Sequence, residues 1–192
     1  MTPTQALLDL ADSAARFNGV PPAILKAVVE HESAWNPDAI RNEPQIQDAS
    51  RGLGQLLYRT AKSIGFTGQP DDLFDPATNL AFTAKYLAFQ YQRTGSWPSA
   101  VSAYNGGYAP AKGFGAPVTT PTTVILAHDP ITGAVTQTRT AQPGEYGNQP
   151  YVDDVMARVD TYGGIGPSLG GFGVVGALLI VGLVAGALLH HR

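Results

Sequence analysis

The longest apolar run in this 192-residue chain divides it into two unequal parts. From Leu169 to Leu189 no charged or strongly polar residue occurs, and a helix of this length crosses roughly 30 Å of hydrocarbon. The run is too long for an ordinary buried core helix. We therefore predict a folded domain at 1–162, a linker at 163–168, one transmembrane helix at 169–189 and a tail at 190–192.

The composition of the chain excludes several classes of site. Because the sequence contains no cysteine, neither a disulfide framework nor a cysteine-ligated metal site can form. Its four histidines are not spaced as a set of metal ligands, so no metal or other cofactor is expected. The formal net charge is −3 and no basic run occurs, which argues against a nucleic-acid partner.

One predicted helix of the folded domain carries an acid on its apolar face. The stretch from Ala23 to Trp35 has apolar residues at i, i+3 and i+4: Leu25, Val28 and Val29. Glu32, at i+7, shares that face, whereas Glu30 points away and can pair with Lys26. A carboxyl group on an apolar face is desolvated, which raises its pKa and lets it act as a general acid. A buried glutamate with a purely structural partner is the alternative.

Periodicity and capping signals predict that the rest of the domain is mainly helical. The predicted helices begin at Thr2-Pro3, with Thr2 as the N-cap, and at Pro22, Leu56, Asn79, Trp97 and Tyr151. Two β-prone runs, 122–128 and 134–140, predict a β-hairpin within a Gly- and Thr-rich insertion at 112–145. The polar stretch 39–51 is expected to be an irregular loop.

Three separated motifs have the residue types of a single site: Glu32-Ser33, Gly52-Leu53-Gly54-Gln55 and Ala103-Tyr104-Asn105. Further pieces lie between them in the chain: Asn36-Pro37, Thr60-Ala61, Asp75-Pro76, Asn79 and Lys85-Tyr86-Leu87. Their order and spacing resemble the soluble lytic transglycosylase family of lysozyme-like, peptidoglycan-cleaving enzymes. The resemblance covers about residues 8–110, with a weaker echo at Tyr151-Val152. It implies a mainly α, lysozyme-like domain into which the β-hairpin is inserted.

The resemblance also implies roles for particular residues. Glu32 is the expected catalytic acid, and the expected substrate-binding residues are Ser33, Trp35, Ser50, Gln55, Tyr104 and Asn105. Tyr104 is expected to hydrogen-bond either Glu32 or the N-acetyl group of the substrate. Trp35 has two interpretations, because it can stack on a sugar or simply pack in the core.

The sequence departs from the family pattern at several positions. Gly54 stands where the glycine turn usually has methionine, and Tyr58 replaces a proline. A serine commonly follows the catalytic glutamate by nine residues, but that position is Arg41 here. Ser50, in a stretch that is longer than usual, is expected to take the place of that serine. Glu145 lies near the family's late Glu-Thr without being in register with it.

The reaction implied by the resemblance needs one carboxyl group. Glycoside hydrolases usually carry a second carboxylate roughly 5–9.5 Å from the first. The acids that follow Glu32, which are Asp38, Glu43 and Asp48, are expected to be solvated on the surface. By resemblance, Glu32 protonates the bond between N-acetylmuramic acid and N-acetylglucosamine and then deprotonates the muramic 6-hydroxyl, which closes a 1,6-anhydro ring. A goose-type lysozyme-like hydrolase and a non-catalytic glycan-binding virion membrane protein are the alternatives.

The order of domain and predicted anchor leaves open how the domain reaches peptidoglycan. The N-terminal residues lack the basic region and apolar run of a secretory signal peptide, so an anchor at 169–189 is expected to leave the domain in the cytoplasm. Peptidoglycan lies outside the membrane. Transglycosylases of membrane-containing bacteriophages have a similar layout, which implies a place in the virion or its internal membrane, other virion proteins as partners, and a role in genome entry. A bacterial secretion or conjugation machine is the alternative.

Overall fold

Six α-helices form the framework of the part of the chain that this computed structural model describes, which is residues 2–129 and 132–165. Their bounds are α1 Gln5–Phe17, α2 Pro22–Ser33, α3 Tyr58–Ser63, α4 Pro76–Thr94, α5 Trp97–Gly106 and α6 Gln149–Thr161. The predicted transmembrane helix at 169–189 and the tail at 190–192 lie outside the described residues. Within the described ranges, no helix is long and apolar enough to cross a bilayer.

Helix α2 lies at the centre of the core, because its neighbours cover the predicted apolar stripe. Leu25, Val28 and Val29 are fully buried, as the spacing of the sequence predicts. The surrounding helices contribute small and branched residues to the same core: Ala11 and Ala15 from α1, Leu80, Ala84 and Leu87 from α4, and Val152, Val155 and Val159 from α6. Burying each such branched side chain contributes about 1.5–3 kcal/mol to the free energy of unfolding. The packing of α6 on α2 therefore fixes the position of the end of α2 relative to α6.

Several helix ends differ from their predictions. Leu56, predicted to begin a helix, lies in a strand, so α3 begins at Tyr58, while α4 and α6 begin earlier than predicted, at Pro76 and Gln149. Helix α1 begins at Gln5 rather than at Pro3, because Thr4 is the N-cap and its hydroxyl accepts the amide hydrogen of Leu7. Helix α2 ends at Ser33, three residues before Asn36, because Ala34 and Trp35 adopt left-handed conformations with φ of 48° and 64°. This early exit turns Trp35 into the core, where it is 1% exposed.

The stretch that was expected to be an irregular loop forms a small antiparallel sheet. Its strands are β1 Ile40–Glu43, β2 Asp48–Arg51 and β3 Leu56–Leu57, with β2 in the middle. The expectation that Asp48 is a solvated acid is also wrong, because its side chain is 7% exposed and accepts the backbone amides of Ala49 and Arg59. These bonds hold β2 against the start of α3.

The insertion contains the predicted β-hairpin. Strands β4 Thr122–His128 and β5 Val135–Ala141 pair antiparallel, which confirms the interpretation of the two β-prone runs. The hairpin is tied to the domain at its base, where Val124 and Ala141 are buried and Arg139 contacts Glu145 and the carbonyl of Tyr146. The chain then leads directly into α6.

Candidate active site

Glu32 lies in the last turn of α2, where the helix leaves the core and reaches a cleft. Ala34 and Trp35 both have positive φ, a conformation that costs non-glycine residues free energy and recurs at functional sites. The side chain of Glu32 is neither fully buried nor exposed, since its carboxyl group forms part of the cleft wall. The sequence-predicted acid therefore has both apolar surroundings and access to a ligand.

The carboxyl group of Glu32 has one neutral hydrogen-bond donor. The hydroxyl of Tyr151, from α6, donates to Oε1 at 2.8 Å. Burial raises the pKa of Glu32, and the hydrogen bond from Tyr151 and the charges of His31 and Arg41 offset only part of this effect. The pKa therefore lies above its ordinary value, as expected for an acid that keeps its proton for transfer.

The tyrosine that contacts Glu32 is not the one predicted from the sequence. The hydroxyl of Tyr104 donates instead to the carbonyl of Gly54 at 2.6 Å. Burial, and then the nearby Glu32, raise the pKa of both Tyr104 and Tyr151 well above the ordinary tyrosine value. Both hydroxyls therefore keep their protons at neutral pH and act as donors. The weak Tyr151-Val152 echo in the sequence was the signal that could have identified the second tyrosine.

A buried asparagine holds the glycine turn in place. Asn79 is fully buried, and its Oδ1 accepts the amide of Gly54 at 2.7 Å while its Nδ2 donates to the carbonyls of Arg51 and Leu73. A Cβ atom on Gly54 would lie 2.0 Å from Oγ1 of Thr83. The glycine that departs from the family pattern is therefore required here, because Thr83 occupies the space beside it.

Gln55 completes the turn with its own side chain. It is a non-glycine residue with φ of 48°, and its Nε2 donates to the carbonyls of Ala39 at 2.9 Å and Gly52 at 3.0 Å. These bonds hold the side chain against the backbone at the edge of the cleft. The amide oxygen is the group of Gln55 with which a sugar hydroxyl can still bond.

The cleft gathers most of the sequence-predicted residues. Its volume is about 370 Å³, and five of the seven predicted residues line it: Glu32, Ser50, Gln55, Tyr104 and Asn105. Ser33 and Trp35 are not among the lining residues. The hydroxyl of Ser33 donates to the carbonyl of Val29, and Nε1 of Trp35 donates to the hydroxyl of Tyr162, so both side chains support the end of α2.

Strand β1 adds a charged pair that the sequence interpretation did not place in the cleft. Arg41 and Glu43 both line it, with Nε of Arg41 2.7 Å from Oε1 of Glu43. Arg41 pairs in register with Ser50 of β2, so the residue at the family's serine position and its expected substitute lie side by side. Glu43, which was expected to be a solvated surface acid, lies in the cleft wall with its side chain 26% exposed. The two-residue spacing of Arg41 and Glu43 was the available signal, since alternate residues of a strand share a face.

Asn105 is held in place by Asn148, the residue that precedes α6. Asn148 is 4% exposed, and its Nδ2 donates to Oδ1 of Asn105 at 2.9 Å and to the carbonyl of Ser102 at 3.1 Å. The hydroxyl of Ser102 donates to Oδ1 of Asn148 at 2.7 Å. Helix α6 therefore positions two cleft residues, Asn105 through Asn148 and Glu32 through Tyr151. Among residues 2–129 and 132–165, no group of three or more histidine or acidic side chains is arranged to hold a metal ion.

Sequence comparisons identify relatives of the part of the chain that builds this cleft. Residues 9–115 match the family described as Transglycosylase SLT domain. The membrane-bound lytic murein transglycosylase C of Actinobacillus pleuropneumoniae serotype 5b is 35% identical over 115 residues, which cover 52% of this chain and 30% of that protein. The same protein from serotypes 3 and 7 matches equally well. The chain thus spans less than a third of the length of these curated relatives.

Structural comparison supports the fold. An inactive mutant of the lytic transglycosylase Slt from Pseudomonas aeruginosa matches with a TM-score of 0.58 and 24% identity over 81% of this chain and 23% of that chain. The 70 kDa soluble lytic transglycosylase of Escherichia coli is 30% identical over 54% of this chain and 17% of that chain, with a TM-score of 0.47. The first likeness confirms the mainly helical, lysozyme-like architecture that the sequence motifs imply.

Proposed function

The chain belongs to the transglycosylase SLT domain family, and we propose that it is a peptidoglycan lytic transglycosylase. Its reaction cleaves the β-1,4 bond between N-acetylmuramic acid and N-acetylglucosamine and forms a 1,6-anhydro end. The observation that carries this proposal is the environment of Glu32. Its carboxyl group opens on a cleft, has a pKa raised by burial and receives its hydrogen bond from the neutral hydroxyl of Tyr151.

Glu32 acts first as an acid and then as a base in the proposed reaction. Its proton passes to the leaving oxygen of the glycosidic bond as the bond to the muramic C1 breaks, and the substrate's N-acetyl group stabilises the cationic carbon. The muramic 6-hydroxyl then bonds to C1 and returns its proton to Glu32, so no water is consumed. Tyr151 suits both steps, because a hydroxyl donor stabilises the transient carboxylate without the fixed positive charge that would keep it from taking a proton back.

Several other residues are proposed to hold the substrate or support the site. Ser50, Gln55 and Asn105 are proposed to bind sugar hydroxyls or N-acetyl groups from the cleft wall. Tyr104 is proposed to act mainly through the backbone of Gly54, to which its hydroxyl donates. Ser33 and Trp35 are proposed to keep the end of α2 in place rather than to contact sugar.

Product analysis tests the proposal. The purified protein is incubated with peptidoglycan, and the released muropeptides are identified by mass spectrometry. We expect anhydro ends from the wild type and no release from Glu32→Gln, with the variant still folded by circular dichroism. Undiminished release by Glu32→Gln would show that another residue is the acid.

Hydrolysis is the second candidate reaction, and Glu43 favours it. A second carboxylate in the cleft is what a hydrolase uses to activate water or stabilise the cation. If the products carry reducing ends, and if Glu43→Gln abolishes them, Glu43 is the second acid and the enzyme is a hydrolase. Anhydro products whose yield survives Glu43→Gln contradict this candidate.

Membrane attachment and delivery complete the proposal. The apolar run from Leu169 to Leu189 supports a membrane anchor, and the name of the Actinobacillus relative supports membrane association of this chain as well. We further propose that the protein is carried in a bacteriophage particle with other virion proteins and opens the host envelope locally for genome entry. Detection of the chain in purified particles supports this role, and its enrichment with a bacterial secretion or conjugation machine supports the rival one. A protein that binds peptidoglycan in a pull-down assay but clears none in a zymogram is a structural glycan binder.

A further inference from the structure

Arg41 gives the cleft a cation that the fold does not require. It is the second residue of β1, its side chain is 68% exposed, and it lines the same cleft as Glu32 and Ser50. Arg51, at the end of β2, contacts Asp48 of its own strand and also Asp71 before α4, and Arg59 of α3 contacts Asp48 of β2, so each of these arginines connects β2 to another part of the fold. Arg41 makes no such connection among the described residues.

The contact between Arg41 and Glu43 leaves most of the guanidinium group available. Nε of Arg41 donates to Oε1 of Glu43 at 2.7 Å, which occupies one of five N–H donors. In the described part of the chain, Glu43 is the one carboxylate that lies in ion-pair distance of Arg41. The terminal amino groups are therefore able to form the two-pronged contact with a further carboxylate that arginine favours.

Neither stabilisation of the fold nor adjustment of the pKa of Glu32 accounts well for the position of Arg41. The pair with Glu43 joins alternate residues of a single strand, and exposed pairs of this kind contribute little to stability. The charge of Arg41 does lower the pKa of Glu32, but it is the smallest of the contributions, after burial, Tyr151 and His31. A residue that merely tuned Glu32 would have no need to lie so exposed on the cleft wall.

The chemistry of the proposed substrate supplies a partner for this cation. The sugars of the glycan strand offer neutral hydroxyl and N-acetyl groups. The muramic unit alone carries acidic groups, either the carboxylate of its lactyl ether or, where a peptide is attached, the carboxylates of that peptide. Glu32 acts at the muramic unit in the proposed reaction, and Arg41 lines the same cleft as Glu32.

We propose that Arg41 is a specificity-determining residue that binds a carboxylate of the muramic unit, so that the cleft prefers anionic muropeptide glycan to neutral N-acetylglucosamine oligomers. This inference rests on the proposed function and names the substrate feature that its site recognises. Glu43 competes for the same guanidinium group, and its removal is expected to strengthen the preference.

Binding without turnover tests the inference. Dissociation constants are measured in a Glu32→Gln background by calorimetry for a chito-oligosaccharide, a peptide-free muroglycan and a peptide-bearing muropeptide with free or amidated carboxyl groups. We expect Arg41→Ser to weaken binding of the acidic ligands by about tenfold, as for loss of a charge-assisted hydrogen bond, and to leave the chito-oligosaccharide unchanged. Arg16→Ala on α1, whose side chain is also largely exposed at 73%, is the matched control and is expected to change nothing.

The outcomes separate the inference from the function on which it rests. An equal loss for neutral and acidic ligands in Arg41→Ser, or no loss for either, overturns the carboxylate assignment while leaving the glycan cleft in place. Failure of every glycan to bind even with Arg41 present overturns the proposed function. Loss confined to the peptide-free muroglycan identifies the lactyl carboxylate, and loss confined to the muropeptide with free carboxyl groups identifies the peptide; both support the inference.

Discussion

Glu30 and Glu32 lie two residues apart on α2, and both contact α6. They lie on opposite sides of the contact between the two helices, and their side chains meet different partners there. On the outer face, Oε1 of Glu30 lies 3.2 Å from the guanidinium group of Arg158. On the inner face, Glu32 meets the neutral hydroxyl of Tyr151. The same pair of helices therefore supplies a cation to one glutamate and a proton-bearing hydroxyl to the other.

The neighbours of the two glutamates extend this contrast. On the outer face, hydrogen bonds from Arg158 and His31 lower the pKa of Asp154, while on the inner face burial raises the pKa of Glu32. The sequence-based pairing of Glu30 with Lys26 is wrong, because Nζ of Lys26 lies 2.8 Å from Asp12 of α1. Burial of Glu32 is offset only in part by its hydrogen bond and by the nearby charges, so the inner face is where the structure places a carboxyl group with a raised pKa.

The largest expected effect is on the rate of cleavage, and it appears when two variants, each lacking the carboxyl group of one face, are compared. Glu32→Gln is expected to lower the rate of peptidoglycan cleavage by about 10²–10⁴-fold, the usual contribution of a general acid, whereas Glu30→Gln stays within a few-fold of the wild type. Rates are measured by release of soluble muropeptides, with circular dichroism as a check on folding. Comparable losses in both variants would mean that the faces are not functionally distinct.

Removing the neutral donor sharpens the same contrast. In Tyr151→Phe, burial of Glu32 persists while the hydrogen bond that lowers its pKa is gone, so the pKa rises further. The alkaline limb of the pH–rate profile is expected to move to higher pH, and the maximal rate to fall by about tenfold. Tyr58→Phe, which removes the hydroxyl that donates to the carbonyl of Gly68, is the control and should leave the limb unmoved. An unchanged limb in Tyr151→Phe argues against this role.

Local patterns predict the framework of the molecule well. The apolar spacing in α2 identifies its buried face because helix periodicity is set by neighbours in sequence. The hairpin of the insertion was predictable for the same reason, since its turn residues lie between two β-prone runs. Strands β1 and β2 were not, because β1 is almost entirely exposed and polar and lacks an alternating apolar face.

The partners within the site depend on contacts between distant parts of the chain. Tyr151 lies 119 residues after Glu32, and its role follows from how α6 packs on α2 rather than from any local pattern. The need for glycine at position 54 likewise follows from Thr83, a neighbour across the fold. The motif order predicted Glu32 and most of the residues that line the cleft, whereas the hydrogen bond that Tyr151 donates to Glu32 required the structure.

The pH dependence of the free energy of unfolding is a third property in which the two faces of the contact between α2 and α6 differ. Because the pKa of Glu32 is raised in the folded state, its favourable contribution is present below the ordinary value of about 4.5 and is lost as the pH rises through the folded value. Glu32→Gln removes this loss, so at pH 7 we expect it to be more stable than the wild type by about 0.5–2 kcal/mol, the usual range for stabilising substitutions. Urea unfolding at pH 7 and pH 4 measures the difference, which should shrink at the lower pH. A variant that is less stable than the wild type at pH 7 would contradict the prediction.

The smallest effect is expected on the outer face and has the opposite sign. Since the pKa of Asp154 is lowered in the folded state, its contribution is present above the ordinary value of about 3.8 and is lost as the pH falls through the folded value. Asp154→Asn should therefore destabilise the protein at pH 7. Its side chain is 42% exposed, so solvent screening limits the loss to less than about 1 kcal/mol, and added salt should reduce it further. At pH 7, Glu32→Gln and Asp154→Asn should depart from the wild type in opposite directions. The difference for Glu32→Gln should shrink by pH 4, whereas that for Asp154→Asn should shrink only in a further urea series below about pH 3.8, because one face holds a proton that the unfolded chain releases and the other excludes a proton that the unfolded chain binds.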